Sequence, residues 1–396
     1  MQDASTFFLS MVSLLRAAEL SSLEGSAAAV GAFNVNFYSQ ALGILEGLRR
    51  ADAPGIIQAS KGANAFQGGP DKIARMVLGA MKGIYRDLPV ALHLDHGDDA
   101  KARVCIDSGY SSVMIDASKL DLPENMAATK AVVDYAHERG VSVEGEYGKL
   151  AGIEEDVVHE TTTYADPFLV PYFFSQTGAD ALAVAYGTSH GPNKGRGMEK
   201  LAIHIVGSSY RGIAAYEQNE SHFLVSHGSS TVPRELVMEI NEYGGNVKDA
   251  SGIPMKKIKE AIASGIRKVN IDTDLRLGIT ATFRKYFHDH QGVEQDSPKI
   301  LRPIKDYLDA HPETIDPRDY LKTMDVALLR EDPAGTDLEE VMNLVKERIA
   351  QHVEMLVIQF GSAGLAGKVE RITLDGMARM YANLNDSPQI TTEQHR

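Results

Sequence analysis

The sequence predicts an α/β protein whose centre is a closed barrel of eight parallel strands, a (β/α)₈ fold, followed by extra C-terminal helices. Three observations predict it. Short apolar runs rich in β-branched residues recur between residues 29 and 274, helical patterns separate most of them, and nearly every run ends in polar side chains. Alternating strands and helices are typical of a parallel sheet, and near-continuous apolar strands indicate burial on both faces.

Eight segments of the sequence are predicted to form strands. They are, in order, residues 29–36, 54–60, 88–96, 111–118, 141–148, 181–190, 222–230 and 267–274. Helical patterns cover residues 39–52, 70–85, 123–140, 254–265 and 277–287. Eight such units favour a TIM barrel. A doubly wound open sheet is the alternative, but no G-x-G-x-x-G pattern follows the first strand to support it.

The whole chain, residues 1–396, is interpreted as a single domain. Residues 1–28 contain an amphipathic opening helix at 5–20, residues 29–288 form the barrel, and residues 289–396 form a C-terminal loop and helical extension. Within that extension, residues 289–316 are polar and contain proline, residues 330–337 resemble a loop, and residues 338–360 have helical periodicity.

Composition excludes several classes of function. The chain is 43% hydrophobic with a net charge of −14, so nucleic-acid binding has no electrostatic support. No run approaches the roughly 20 apolar residues of a membrane span. The apolar residues 7–15 lack the basic segment and cleavage site of a signal peptide. Cys105 is the one cysteine, which fits a reducing, cytoplasmic location; it is either a buried apolar residue or a reactive thiol.

Polar side chains at the strand ends predict the active site. They are Asn34, Asn36, Ser60, Asp95, His96, Asp116, Ser118, Glu144, Glu146, Ser189, His190, His227, Ser229, Ser230, Asn270, Asp272 and Asp274. In a barrel these ends meet on one face, which carries the active site. Three of the strands end in His-Gly, and three imidazoles with an open fourth position form a catalytic Zn²⁺ site. His93 lies within its strand and is interpreted as structural.

In these strand-end motifs the chain resembles the class II, metal-dependent fructose-1,6-bisphosphate aldolases. The segments that carry the resemblance are GAFNVN, IIQAS, HLDHGDD, SSVMIDAS, SVEGEYG, DALAVAYGTSHG, LVSHGSSTVP, KVNIDTDLR and the late FGSAGLAGKV. The segment 207–221 and the region around 290–340 depart from the family pattern. The resemblance implies cleavage of fructose 1,6-bisphosphate to dihydroxyacetone phosphate and glyceraldehyde 3-phosphate, in glycolysis, gluconeogenesis or the Calvin cycle.

The resemblance assigns the metal ligands and the proton-transfer residues. His96, His190 and His227 would hold one Zn²⁺, which polarises the carbonyl of dihydroxyacetone phosphate and stabilises the enediolate. Asp95 would exchange a proton with the oxygen at C4, although it could instead orient an imidazole. Glu155 would be the base, in a segment that otherwise resembles a solvated acidic loop. Glu146 and Asp116 match carboxylates near an alternative metal position, or they are hydrogen-bonding groups at the barrel mouth.

The resemblance also assigns the two phosphates of the sugar. Residues Gly191, Lys194, Gly228, Ser230, Asp272 and Thr273 would bind the ketose-derived phosphate, and Asn270 would contact the carbon chain. Ser60 and Arg276, with Asn36 nearby, would bind the other phosphate, since the guanidinium fork can bond two phosphate oxygens. A monovalent cation, Na⁺ or K⁺, near the phosphate loops and a homodimer or homotetramer are further implications.

Three alternatives stay open. The same chemistry could act on tagatose 1,6-bisphosphate or sedoheptulose 1,7-bisphosphate. A lysine that follows a strand, Lys61, Lys149 or Lys194, could form a Schiff base with the ketone. The barrel could also be a catalytically silent binding protein, because fold alone does not establish function.

Overall fold

The computed structural model describes residues 7–149, 152–154, 157–159, 163–189, 201–216, 222–248 and 250–385. Within these residues, eight parallel strands close into a barrel in the order β1-β10-β9-β8-β5-β4-β3-β2, and β6 and β7 form a separate antiparallel hairpin. The strands are β1 Val30–Asn34, β2 Gly55–Ser60, β3 Val90–Gly97, β4 Ser112–Ile115, β5 Ser142–Tyr147, β6 Gly152–Glu154, β7 Val157–His159, β8 Ala181–Val184, β9 Phe223–Ser226 and β10 Ile266–Ile271. The predicted (β/α)₈ barrel is confirmed.

Helices surround this barrel and continue beyond it. The helices up to the last barrel strand are α1 Met11–Leu23, α2 Tyr38–Arg50, α3 Lys61–Phe66, α4 Pro70–Ala80, α5 Asp99–Asp107, α6 Leu122–His137, α7 Val170–Thr177, α8 Ile203–Tyr216, α9 Arg234–Glu242 and α10 Met255–Ala263. Those that follow it are α11 Thr273–Asp289, α12 Val293–Asp296, α13 Leu301–Ala310, α14 Pro317–Leu321, α15 Glu339–Gln359 and α16 Leu374–Asn385. No helix among the described residues is long and apolar enough to cross a membrane.

Several element assignments made from the sequence differ from the structure. The opening helix begins at Met11 rather than residue 5, because the Ser10 hydroxyl accepts a hydrogen bond from the N–H of Val12 and caps it. The last strand ends at Ile271, and Thr273 and Asp274 belong to the first turn of α11. The polar segment 289–316 contains α12 and α13.

The barrel strands are buried along nearly their whole lengths, which explains their near-continuous apolar sequences. Every residue of β1, β2, β3 and β10 is buried. The opening helix α1 covers one end of the barrel, with Met11, Leu14 and Leu15 inaccessible to solvent. Cys105 is also buried, and burial raises the pKa of its thiol to about 12, which favours the unreactive alternative for this residue.

Candidate active site

A bulge at the end of β3 places two functional side chains together. Leu94 pairs with Val113 of β4 and Gly97 pairs with Ile115, so three residue steps on β3 match two on β4. His96, inside this bulge, has a φ of 52°, a conformation that non-glycine residues rarely adopt. Bulges next to active sites redirect side chains. A Cβ atom at Gly97 would lie 2.5 Å from the end of the Leu94 side chain and 3.1 Å from the Met114 carbonyl oxygen, so the bulge leaves little room for a larger residue there.

The bulge brings Asp95 and His96 beside His227, which follows β9. The imidazole rings of His96 and His227 lie 4.8 Å apart between centroids, at an angle of 54°. Asp95, His96 and His227 each offer one potential ligand atom, and these atoms lie within 4.8 Å of one another. Two imidazoles and a carboxylate form a donor set that fits zinc. The third expected ligand, His190, lies outside the described residues.

Two further carboxylates flank His96. Its Nδ1 lies 3.3 Å from Asp116 Oδ2 and 3.8 Å from Glu146 Oε2, and the three residues form a second group with metal-ligand geometry. Burial would raise the pKa of Asp116, but hydrogen bonds from His96 and Ser118 hold it below its ordinary value. Both roles proposed for Asp116 and Glu146, alternative ligand and hydrogen-bonding group, are compatible with these positions.

Amide side chains hold the Asp95 carboxylate from two strands. Asn34 of β1 donates to Oδ2 at 2.9 Å, and Asn270 of β10 donates to Oδ1 at 3.3 Å. Gln58 of β2 donates to Asn34 Oδ1 at 2.6 Å, which leaves the Asn34 amino group facing Asp95. Asp95 is therefore fixed in orientation beside the imidazoles. Gln58 was not among the site residues predicted from the sequence.

A fully buried network lies beneath His227. Glu144 of β5 accepts from His227 Nε2 at 2.8 Å and from Lys268 Nζ of β10 at 2.8 Å. Lys268 also donates to His93 Nε2 at 3.3 Å. Burial would raise the pKa of Glu144, but Lys268 and His227 hold it below its ordinary value. A carboxylate on the second nitrogen of a ligating imidazole fixes the ring orientation, so Glu144 orients His227.

The loop after β9 meets the start of α11 at the expected ketose-phosphate site. Gly228 has a φ of 59°, and a Cβ atom there would lie 2.4 Å from the Ser189 carbonyl oxygen, so only glycine fits. Ser230 Oγ accepts hydrogen bonds from the N–H groups of Asp272 and Thr273, at 3.2 and 3.1 Å. The structure brings these four expected residues together. Gly191 and Lys194 lie outside the described residues.

A second charged cluster lies at the expected site of the other phosphate. Arg276 of α11 bonds Asp272 at 2.9 Å and Asp316 at 2.6 Å. Arg318 of α14 bonds the same Asp316 at 2.7 Å, and its Nη1 lies 3.5 Å from Ser60 Oγ. Burial raises the pKa of Asp272, with Arg276 opposing the shift. Ser60 and Arg276 thus belong to one network, which Arg318 completes.

Arg318 is a functional candidate that was not predicted from the sequence. It belongs to the region beyond the barrel and to no recognised motif, so no local signal identified it. Asn36 belongs to the turn after β1, where its N–H donates to Gln40 Oε1 at 2.9 Å, and its role near the other phosphate stays a prediction. The expected base, Glu155, lies outside the described residues.

Comparisons with known proteins show which family the chain matches. A family profile described as "Fructose-bisphosphate aldolase class-II" matches residues 16–365. A fructose-bisphosphate aldolase of Giardia intestinalis is 38% identical over 358 residues, which cover 89% of this chain and 94% of that protein. One from Xanthobacter flavus is 35% identical over 374 residues, covering 89% of this chain and 92% of that protein.

The solved structures agree on the fold. The YdjI aldolase of Escherichia coli K12 superposes with a TM-score of 0.61 at 22% identity, covering 92% of this chain and 100% of that one. At this identity the likeness concerns the barrel alone. The family match extends over nearly the whole chain and includes the positions of Asp95, His96 and His227. The chain therefore belongs to the class II fructose-bisphosphate aldolase family.

Proposed function

We propose that this chain catalyses the reversible aldol cleavage of D-fructose 1,6-bisphosphate to dihydroxyacetone phosphate and D-glyceraldehyde 3-phosphate. The observation that carries the proposal is the group formed by Asp95, His96 and His227, whose potential ligand atoms lie within 4.8 Å of one another. A proton-transfer carboxylate adjacent to metal-binding imidazoles is what a metal-dependent aldol reaction requires. The curated relatives carry the same activity in their names.

His96, His190 and His227 would hold one Zn²⁺ per chain. When bound, zinc would supply Lewis-acid polarisation of the ketone oxygen. Glu144 would keep the His227 ring oriented, because it accepts the Nε2 hydrogen bond at 2.8 Å. Glu146 and Asp116, both close to His96, would offer an alternative position for the ion.

Asp95 and Glu155 would move the protons. In cleavage, Asp95 would take the proton of the C4 hydroxyl while the C3–C4 bond breaks, and the C4 oxygen becomes the aldehyde oxygen. The electron pair of that bond would pass to C3, which Glu155 would protonate. The amide hydrogen bonds from Asn34 and Asn270 support this role, because they aim the Asp95 carboxylate without supplying a competing proton acceptor.

Two groups of residues would hold the two phosphates. Gly191, Lys194, Gly228, Ser230, Asp272 and Thr273 would bind the ketose-derived phosphate, with Asn270 on the carbon chain. Backbone N–H groups at the start of a helix and in a glycine turn favour anions, which supports this site. Ser60, Asn36 and Arg276 would bind the other phosphate. Arg318 is added to that set because its guanidinium lies 3.5 Å from Ser60 Oγ.

The proposal includes three features that the family resemblance implies. These are a monovalent cation, Na⁺ or K⁺, near the phosphate loops, a homodimeric or homotetrameric assembly, and a cytoplasmic location. Activity measured in buffers that contain only Na⁺, only K⁺ or neither would test the cation. Sedimentation equilibrium of the full chain would test the assembly, and a single species at 43.0 kDa would contradict it.

The first experiment is a coupled cleavage assay on fructose 1,6-bisphosphate before and after dialysis against EDTA, followed by addition of zinc. We expect activity to disappear on dialysis and to return with about one zinc per chain. Activity that survives EDTA, together with borohydride trapping of the substrate, would instead favour a Schiff base at Lys61, Lys149 or Lys194. An inactive zinc-loaded protein would contradict the assignment of the sugar.

The identity of the sugar has its own measurement. The assay is repeated with tagatose 1,6-bisphosphate and sedoheptulose 1,7-bisphosphate, and kcat/KM is compared among the three sugars. We expect the highest value for fructose 1,6-bisphosphate. A higher value for either competitor would transfer the proposal to that sugar, and no activity on any of them would favour a silent barrel.

A further inference from the structure

The loop after β9 is held in an unusual conformation. We call residues 228–232 the β9 loop. Its last residue, Val232, has a φ of 48°, although its side chain is β-branched. Such a conformation is a genuine outlier and persists only where the surroundings determine it. The β9 loop therefore has to be held by contacts outside itself.

The first restraint is the segment before α10. Gly252 packs so closely on the β9 loop that a Cβ atom would lie 2.1 Å from the Thr231 carbonyl. The N–H of Ile253 donates to the Ser230 carbonyl oxygen at 3.0 Å. These contacts fix one side of the loop. They do not satisfy the N–H groups of Thr231 and Val232, which point to the other side.

Asp274, in the first turn of α11, satisfies those groups. Its Oδ1 accepts from the N–H of Val232 at 2.7 Å. Its Oδ2 accepts from the N–H of Thr231 at 3.0 Å and from the Thr231 hydroxyl at 2.7 Å. Asp274 is fully buried, so no water competes for the carboxylate. Three hydrogen bonds to one buried carboxylate are strong, because the acceptor is charged.

A histidine from the C-terminal extension lies behind this carboxylate. His352 of α15 places Nε2 3.5 Å from Asp274 Oδ2. Burial would raise the pKa of Asp274, but His352 and the Thr231 hydrogen bonds hold it below its ordinary value. This direction favours the ionised carboxylate, the form in which both oxygens act only as hydrogen-bond acceptors. The β9 loop is thus connected through Asp274 to a helix outside the barrel.

We propose that Asp274, supported by His352, is a positioning residue that holds the β9 loop in the geometry needed to bind the ketose-derived phosphate. This inference rests on the proposed function, which places that phosphate on Gly228, Ser230, Asp272 and Thr273. The connection is direct. Thr231 follows Ser230, and Ser230 Oγ accepts from the N–H groups of Asp272 and Thr273 at 3.2 and 3.1 Å. Displacing Thr231 moves Ser230 away from the start of α11.

The test uses three variants of the full chain: Asp274→Asn, Thr231→Val and His352→Gln. Thr231→Val removes one hydrogen bond at nearly constant shape, and His352 is partly exposed, so both of these variants should fold even if Asp274→Asn does not. For Asp274→Asn we expect KM for fructose 1,6-bisphosphate and the inhibition constant of inorganic phosphate to rise about tenfold or more. For the other two we expect a rise of about three- to tenfold.

Other readouts separate positioning from a general loss of structure. We expect kcat to stay within about threefold of the parent and zinc content to stay unchanged, because the β9 loop begins after His227. Adding His352→Gln to Asp274→Asn should raise KM by less than the two changes predict separately, since both act on one carboxylate. If the effects of the two changes on KM are additive, the coupling between His352 and Asp274 is contradicted.

Two matched controls accompany these variants. Thr282→Val removes a buried hydroxyl on α11 that donates to the Gly278 carbonyl oxygen at 2.8 Å, about two helical turns beyond Asp274 and with no hydrogen bond to the β9 loop given by that hydroxyl. His290→Gln breaks an exposed histidine–carboxylate pair of similar length, 3.4 Å to Glu340. Both controls should leave KM and phosphate inhibition unchanged. The inference is overturned if Thr231→Val and His352→Gln match the controls, or if they lower kcat and leave KM unchanged.

The experiment also separates this inference from the proposed function. If the parent does not cleave fructose 1,6-bisphosphate, binding of inorganic phosphate is measured by calorimetry on the parent and all variants. Phosphate binding that weakens in Asp274→Asn, Thr231→Val and His352→Gln then supports the positioning role for whichever phosphorylated ligand the barrel accepts. A parent that binds no phosphate, or variants that bind it equally well, would overturn the inference.

Discussion

Asp95 and His96 are neighbours in sequence, yet both contribute to one cluster of ligand atoms. In a regular strand, successive side chains point to opposite faces. The bulge between Leu94 and Gly97 interrupts this alternation of side chains. The positive φ of His96, 52°, is part of the bulge. The functional pair thus depends on a local departure from regular β structure, which is where strained residues are commonly found.

Replacing Asp95 by alanine tests its role. We expect kcat for cleavage to fall by about 10²- to 10⁴-fold, since a positioned proton-transfer group contributes about that much. Zinc content should stay near one per chain, because the three imidazoles remain. Steady-state kinetics and metal analysis of the same preparation provide the two measurements.

A neighbouring carboxylate provides the control for Asp95. Asp98 caps α5 by accepting from the N–H of Lys101 at 2.8 Å, and it is exposed. Asp98→Ala should lower stability by about 1 kcal/mol and leave kcat unchanged. If zinc is lost from Asp95→Ala, the residue supports the metal, as its membership of the group with His96 and His227 also permits.

Among the individual site residues, those that lie at the ends of strands could be predicted from the sequence. Asp95, His96 and His227 are close together because parallel strands end on one face of a barrel. Gln58 and Arg318 were not predictable in this way, since their partners are Asn34 and Ser60, which are distant in sequence. The roles of His190 and Glu155 stay predictions.

Among the helices, the packing of α15 on α2 is unusually close. A Cβ atom at Gly43 would lie 2.7 Å from the Cβ of Ile349, and one at Gly47 would lie 2.6 Å from the Ala350 carbonyl oxygen. The two glycines lie on one face of α2, four residues apart. They allow the backbones of the two helices to approach, at the cost of helix propensity within α2.

The variant Gly47→Ala separates the effect of close packing between α2 and α15 from the effect of helix propensity within α2. Alanine favours a helix over glycine by about 1 kcal/mol, but here its methyl group would force α15 away, and overpacking costs about 1–3 kcal/mol. We therefore expect no gain and a net loss of up to about 2 kcal/mol in the free energy of unfolding, measured by urea denaturation.

Gly278→Ala in the middle of α11 is the matched control. Its added Cβ would lie 3.5 Å from the nearest atom, in the side chain of Arg348, which is ordinary van der Waals contact. This variant should be more stable than the parent by about 0.4–1 kcal/mol. A clear stabilisation in both variants would show that α2 and α15 can separate without cost.

At the element scale, the strands were easier to predict than the helices beyond them. Each of the eight apolar runs overlaps a barrel strand, because burial on both faces leaves a continuous apolar sequence. Helix α13 was missed because Pro303 and several charges mark its sequence as a loop. Proline is tolerated in the first helical turn, and Leu301, Ile304 and Leu308 form the buried face that stabilises α13.

For the molecule as a whole, the C-terminal extension is tied to many parts of the barrel. Phe360 accepts a backbone hydrogen bond from Ala29 at 3.0 Å, immediately before β1. Arg348 of α15 forms a bidentate pair with Glu239 of α9, at 2.8 and 2.7 Å. In α16, the Tyr381 hydroxyl donates to Asp180 at 2.9 Å, just before β8. These contacts support the interpretation of the chain as one domain, which stays a prediction.

Calorimetry of the full chain and two truncations tests that interpretation. A chain that ends at residue 288 lacks α15, whose buried face consists of Val341, Met342, Val345, Ile349, Ala350, Val353, Leu356 and Val357. Each large apolar side chain of this kind contributes about 1.5–3 kcal/mol when buried, so their joint loss rivals the roughly 5–15 kcal/mol that stabilise a typical protein. We therefore expect no cooperative unfolding transition from this truncation.

A chain that ends at residue 369 keeps α15 and is the control for this experiment. It loses the Tyr381–Asp180 hydrogen bond and the stacking of Tyr381 on His137, whose ring centroids lie 3.6 Å apart. We expect it to unfold in one transition at a lower Tm, and the full chain to unfold in one transition at the highest Tm. Two separate transitions in the full chain, or a cooperative transition in the chain that ends at 288, would show that the barrel is a domain of its own. In that case the contact of His352 with Asp274 would join two domains, and the phosphate site would depend on how they dock.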